Sequence, residues 1–216
     1  RGEKIVTAAD ECVRAVFNGY AEGFEDSLVQ DLGYRVPQGL RRGVDLLAGA
    51  GRRFAHLLDL GCGTGLVGAA FADICACLTG VDLAEEMIAR TRSKRLYQHL
   101  VVEGILPFLQ GTAVRYDLVT LADVLIYLGD PEPMLAAVHL KTTDDALLCF
   151  SIESAETSTY CLQSTGRFAH SPDFIGHLAA TTGWAVRRRE TIRLRREGDG
   201  WIAGMLFFLA KSRDCR

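Results

Sequence analysis

The stretch 57-LLDLGCGTGLVGAAF-71 decides how this chain is read. A short apolar run holds one carboxylate, Asp59. Gly61, Gly63 and Gly65 follow two apart, and then come apolar residues at helical spacing. A strand that ends in glycines and feeds a helix is a ligand site. The missing Cβ atoms let backbone N–H groups come close, and the helix N-terminus offers unpaired donors. Asp82, in 80-GVDLAEEM-87, lies 21 residues after Gly61 at the end of the next apolar run. From there it can accept hydrogen bonds from ribose hydroxyls, the logic of nucleotide-binding βαβ units.

Downstream, short apolar runs alternate with helix-like segments, the signature of a parallel sheet with crossover helices. Strands are expected near 55–60, 76–81, 99–102, 116–121 and 146–151, and helices near 65–73, 84–95, 131–140 and 172–182. A final hairpin of 184–197 and 201–211 turns through Gly198-Asp199-Gly200. Residues 8–51 read as helical, broken near Gly33 and Pro37. With no internal repeat and no low-complexity linker, one domain is expected, a helical cap over 1–51 joined to a core over 52–216.

The bulk numbers exclude several classes. Hydrophobic residues make up 49% and charged ones 24% of 216 residues, ordinary for a globular chain with a sizeable core. A net charge of −3 gives no pull toward nucleic acid or an anionic membrane. The arginine-rich run 187–196 lacks the interleaved aromatics of a nucleic-acid surface and fits a charged edge strand. Seven scattered cysteines without a Cys-x-x-Cys pair predict reduced thiols and a cytoplasmic protein. Cys75 and Cys77 are expected to pack as small apolar residues. Cys161, His170 and His177 lack zinc-ligand spacing, so no metal is expected. No apolar run reaches the ~18 residues that span a bilayer. The chain begins at Arg1 instead of Met, so it is expected to belong to something longer.

Two ligand chemistries compete for the glycine turn. Residues 63–68 match the dinucleotide fingerprint G-x-G-x-x-G literally, which predicts a nicotinamide-dependent oxidoreductase. Counted from Gly61, the first glycine after the strand, the sixth position is Leu66. A pyrophosphate beside Asp59 would meet a like charge at close range. A sulfonium nucleoside reverses that sign. S-adenosylmethionine offers a ribose to Asp82, carries net positive charge and contains no phosphate.

Here the residues resemble a known family. The stretch 58-LDLGCGTG-65 is similar to the first motif of class I S-adenosylmethionine-dependent methyltransferases, and 81-VDLAEEMI-88 to their acidic second motif. The segments 17–40, 122-ADVLIYLGD-130 and 166-GRFAHS-171 resemble a subgroup often attached to tetratricopeptide repeats. The resemblance implies a Rossmann-like, doubly wound α/β fold: a mostly parallel seven-stranded sheet with an antiparallel last strand and an N-terminal helical lid. It implies a repeat domain upstream in a longer chain. It also implies that Gly61, Cys62, Gly63 and Gly65 meet the methionine part of the cofactor, while Asp59 serves its ammonium directly or through water. Asp82 would hold the ribose, Leu83 and Met87 would flank the adenine, Ala122 would complete the cleft and Tyr20 would close it as part of the lid. Relatives place an acid after the third strand to meet the adenine amine. This chain has Glu103 one place early and Gly104 at the expected position.

The methyl acceptor would sit after the fourth strand, near Asp123, Tyr127 and Asp130. Asp130 reads as a cap for the helix at Pro131, which leaves Asp123 and Tyr127 as acceptor-side candidates. His170 is the candidate base, because imidazole titrates near neutrality. The bland alternative is a solvated neighbour of the helix start Ser171-Pro172-Asp173. Tyr20 and Phe24, four apart, equally suit core packing. The segment 121-LADV-124 lacks the Asn/Asp-Pro-Pro-Tyr pattern of amide and base N-methyltransferases, so a small-molecule acceptor is expected. A cofactor-binding module without turnover is the third reading.

Overall fold

The computed structural model describes Arg14, residues 32–49 and residues 51–212. Its strands are β1 (Phe54–Leu60), β2 (Cys75–Asp82), β3 (His99–Val102), β4 (Tyr116–Leu121), β5 (Thr142–Glu153), β6 (Tyr160–Leu162), β7 (Phe168–His170), β8 (Trp184–Glu197) and β9 (Gly200–Lys211). The helices are α1 (Val36–Ala48), α2 (Leu66–Phe71), α3 (Glu85–Ser93), α4 (Ile105–Gly111), α5 (Glu132–Leu140) and α6 (Pro172–Thr181). Seven strands form one sheet in the order β3-β2-β1-β4-β5-β9-β8. Pairing is parallel from β3 across to β5, and β9 runs antiparallel to both its neighbours. This is the Rossmann-like sheet expected from the sequence. Strand order reverses between β1 and β4, and ligands of open α/β sheets bind at the carboxyl ends beside such a switch point. The glycine turn lies there.

Strands covered on both faces read as near-continuous apolar runs, and β1 shows why. Leu58 and Leu60 enter one core with Leu109, Leu135, Phe150 and Trp184. Leu57 enters the other with Val44, Phe71 and Phe208. Asp59 projects to the same side as Leu57 and is buried there.

The segment expected as a cap divides. Tyr20 and Phe24 lie outside the described residues. The described part, α1, is packed into the second core through Val36, Leu40 and Val44. Two glycines permit the close approach. Leu206 Cδ1 lies 2.8 Å from where a Cβ of Gly39 would stand, and the Phe208 ring lies 2.0 Å from that of Gly43. This helix is a layer of the core, not a cover over the turn.

Three short elements were not expected from the sequence. Helix α4 spans seven residues with Pro107 in its first turn, and β6 with β7 forms a hairpin of three residues a side. All three are too short to show a period. Ser171 does start the last helix, accepting from the Phe174 amide at 3.4 Å with Pro172 at its first position.

A methyl group at position 43 would collide with the buried Phe208 ring. Gly43→Ala is expected to lower unfolding stability by about 1–3 kcal/mol in urea titrations. An unchanged midpoint would contradict the packing of α1 on β9.

Candidate active site

The turn is rigid because its own amides are bonded inside the protein. Gly61 and Cys62 donate to the Val81 carbonyl at 2.8 and 3.0 Å, and Gly65 donates to the Cys62 carbonyl at 2.8 Å. Gly63 donates to Asp82 Oδ2 at 2.8 Å, and Asp82 Oδ1 accepts from Ala84 at 2.9 Å. Thr91 Oγ1 donates to the Gly63 carbonyl at 2.6 Å, fixing the turn from α3. Gly61, Gly63 and Gly65 all have positive φ. Gly63 alone of the three has nothing within 4 Å of a would-be Cβ, so the turn opens there, beside the half-buried Asp82. Burial raises the pKa of Asp82, against the Ala84 and Gly63 amides that lower it. Thr64 Oγ1, mid-turn, is buried with no partner, a polar atom that a ligand or water would satisfy.

The glycine at position 68 serves a different end. Its amide donates to Tyr97 Oη at 2.9 Å, and the Tyr97 ring lies 2.4 Å from where its Cβ would stand. Gly65 and Gly80 also border that ring, at 3.2 and 3.0 Å from their would-be Cβ positions. Three glycines therefore make one slot for Tyr97. In it, Tyr97 Oη donates to Asp59 Oδ2 at 2.6 Å, while Thr120 Oγ1 donates to Asp59 Oδ1 at 2.9 Å. Asp59 is wholly buried behind the turn, not at its mouth as expected. Desolvation lifts its pKa to about 7, against the Tyr97 and Thr120 hydrogen bonds that lower it. The charge that a ligand meets is that of Asp82.

Beyond the carboxyl ends of β4 and β5 lies a buried ionic cluster. Arg195 donates to Asp123 Oδ2 at 2.8 Å and to Glu153, and Arg167 donates to Glu153 at 3.0 Å and to Glu197. Asp123 Oδ1 accepts from Ser151 Oγ at 2.8 Å. The arginine run lies on the edge strand β8 as expected, but Arg195 departs from it at 6% exposed. A register shift between Arg193 and Arg196 breaks the alternation, so Leu194 and Arg195 are both buried. Burial pushes the Tyr127 hydroxyl up to about 12, with Asp123 adding to the shift. Tyr34, buried on the same side, is raised by burial and then by Asp123.

Residues 58–148 match the family described as methyltransferase domain. That match covers less than half of the chain, whose sheet has the fold of solved S-adenosylmethionine-dependent methyltransferases. The ubiquinone biosynthesis O-methyltransferase of Coxiella burnetii is 34% identical over 114 residues, 51% of this chain and 49% of that protein. The chain thus spans about half the length of the curated relatives it matches. Among solved structures, the magnesium protoporphyrin IX methyltransferase of Synechocystis with bound S-adenosylmethionine has a TM-score of 0.68 at 16% identity, covering 97% of this chain and 100% of that one. The N-methyltransferase NodS of Bradyrhizobium japonicum, with S-adenosylhomocysteine, gives 0.63 at 24% identity over 81% and 85%.

The residues expected at the site are not all brought together. Gly61, Gly63, Gly65 and Asp82 come together at the turn, with Leu83 half-buried beside them and Cys62 buried beneath. Glu103 is exposed at the end of β3, its amide donating to the Asp82 carbonyl at 3.0 Å, and Gly104 starts α4. Ala122 packs against the second core. Met87 is wholly buried on the inner face of α3, so it offers no surface to an adenine. His170 is neither solvated nor open to the cleft. Its ring is wholly buried, with Nε2 2.8 Å from the Leu128 carbonyl. A carbonyl only accepts, so Nε2 carries the proton. Burial lowers the pKa, which keeps the ring neutral. Asp130 accepts from the Glu132 amide at 3.0 Å, the capping role expected. Among the described residues, no three His, Cys, Asp or Glu side chains are arranged to hold a metal ion, and no helix is long and apolar enough to cross a membrane. Tyr97, Ser151, Glu153 and Arg195 were missed, because no local pattern marks a tyrosine whose slot comes from glycines on three elements.

Asp59 holds its proton more tightly folded than unfolded. The folded state therefore keeps an extra proton between pH 3.8 and about 7, and this group's contribution to stability falls as pH rises across that window. Asp59→Asn removes the titration. Its stability relative to the parent protein is expected to improve steadily from pH 4 to 7 in urea titrations. A difference that stays constant with pH would contradict the buried, proton-holding Asp59.

Proposed function

We propose that this chain transfers the methyl group of S-adenosylmethionine to an oxygen, nitrogen or carbon nucleophile of a small molecule. The observation that carries the reading is the state of the turn's donors. The amides of Gly61, Cys62, Gly63, Gly65 and Gly68 all donate within the protein. A dinucleotide's diphosphate needs such amides free. A nucleoside without phosphate needs only an acid for its ribose and a glycine floor for its methionine arm, and Asp82 beside the open Gly63 supplies both. Gly61 and Gly65 would complete that floor, Leu83 would flank the adenine, and Glu103 and Gly104 would border it. An oxygen acceptor is favoured by the name that the Coxiella burnetii relative carries.

The sulfonium methyl is already activated, so the protein's contribution is alignment and exclusion of water. The acceptor approaches from the end of β4, where Tyr127 lines the way. Asp123 has both carboxylate oxygens engaged by Ser151 and Arg195, which suits holding that wall in place better than taking a proton. His170 backs the Leu128 carbonyl from behind the same wall. The lid formed by residues upstream of α1, including Tyr20, belongs to this proposal. So do membership of the subgroup attached to tetratricopeptide repeats and a cytoplasmic location, the latter supported by free thiols at Cys62, Cys75, Cys77, Cys149 and Cys161.

Isothermal titration separates the readings. S-adenosylmethionine and S-adenosylhomocysteine are expected to bind and NADH to give no heat. Asp82→Ala is expected to weaken S-adenosylhomocysteine at least about tenfold, from loss of charge-assisted hydrogen bonds to the ribose. NADH binding without S-adenosylmethionine binding would overturn the proposal. Binding of S-adenosylmethionine with no turnover across a metabolite extract would favour a non-catalytic module.

A further inference from the structure

Asp123 adopts a left-handed backbone conformation, with φ 55°. An L-residue there is strained, and it persists only where its surroundings hold it. Three bonds do so. Its amide donates to Ser151 Oγ at 2.8 Å, Ser151 Oγ donates back to Oδ1 at 2.8 Å, and Arg195 donates to Oδ2 at 2.8 Å. Arg195 is itself fixed through Glu153, which Arg167 also holds.

The strained residue sits next to Val124, and Val124 touches the cofactor turn. Val124 Cγ2 stands 2.4 Å from where a Cβ of Gly61 would be, so it fills the space that the first glycine leaves. A change of backbone at position 123 would swing Val124 and alter its pressure on Gly61. Contact therefore runs from Arg195 on the edge strand through Asp123 and Val124 to the turn that binds the ligand.

We propose that Arg195 is a positioning residue for the cofactor turn: by clamping Asp123 in its left-handed conformation it seats Val124 against Gly61. Its own hydrogen bonds go to Asp123 and Glu153, so the effect on the ligand passes through the backbone. The consequence for affinity rests on the reading of the turn as the methyl-donor site.

The test compares Arg195→Gln, Asp123→Gly and the double variant, each confirmed folded by circular dichroism. Two quantities are read: amide hydrogen exchange over residues 59–68 in the ligand-free protein, and affinity for S-adenosylhomocysteine. Arg195→Gln is expected to speed exchange in the turn and weaken the ligand, each about tenfold. The double variant is expected to recover most of both, because glycine takes the left-handed conformation without a clamp. Recovery with glycine but not with alanine at position 123 in the double variant separates backbone relief from removal of the carboxylate that Arg195→Gln leaves unpaired. Exchange and affinity unchanged in Arg195→Gln, or a double variant no better than the single, would overturn the proposal. Should Arg195→Gln fail to fold, Asp123→Ala against Asp123→Gly asks the same question. Both lack the carboxylate, so faster turn exchange in the alanine variant supports the proposal and equal exchange overturns it. A parent protein with no affinity for S-adenosylhomocysteine would sink the methyl-donor reading, while exchange in the ligand-free protein still judges Arg195.

Discussion

The hydrogen bond from the Gly63 amide to the Asp82 carboxylate is the constraint on which the rest depends. It joins the turn after β1 to the end of β2, so the two ligand-facing elements cannot move apart. It also commits a donor that a phosphate would otherwise claim. With the Val81 carbonyl taking two more amides and Tyr97 another, the turn keeps its glycine curvature and loses its anion-binding character. On the proposed reading, the same local sequence pattern serves a nucleoside in place of a dinucleotide.

Behind the turn, burial gives a second layer of order. Asp59 is held by Tyr97 and Thr120, and Tyr97 is admitted because residues 65, 68 and 80 have no side chains. A buried carboxyl at that place ties β1, β4 and the segment after α3 into one unit. Its electrostatic part in binding is indirect. The carboxylate within reach of a cationic ligand is that of Asp82, partly exposed beside the open face of Gly63.

Much of this was legible in the sequence. Short apolar runs near 55–60, 76–81 and 116–121, alternating with helical segments, read as strands of a parallel sheet, and the glycines with Asp82 marked the expected ligand end. What could not be read depended on tertiary packing. The register shift in β8 turns Arg195 inward where strict alternation gives only an edge of charges. His170 stands beside a correctly read helix start, yet a strand of three residues carries it into the interior. The family resemblance implied an adenine contact for Met87, but the rotation of α3 points it to the core. Such outcomes are set by which face an element buries, and a single residue's type does not reveal that.

The central claim is that this turn accepts a phosphate-free nucleoside through Asp82. The most direct measurement is a crystal structure grown with S-adenosylhomocysteine and, separately, with NADH. The account predicts ribose hydroxyls on the Asp82 carboxylate, the amino-acid arm over Gly61 to Gly65, and nothing bound from NADH. A diphosphate seated on the Gly63 and Gly65 amides, with Asp82 turned away, would contradict it.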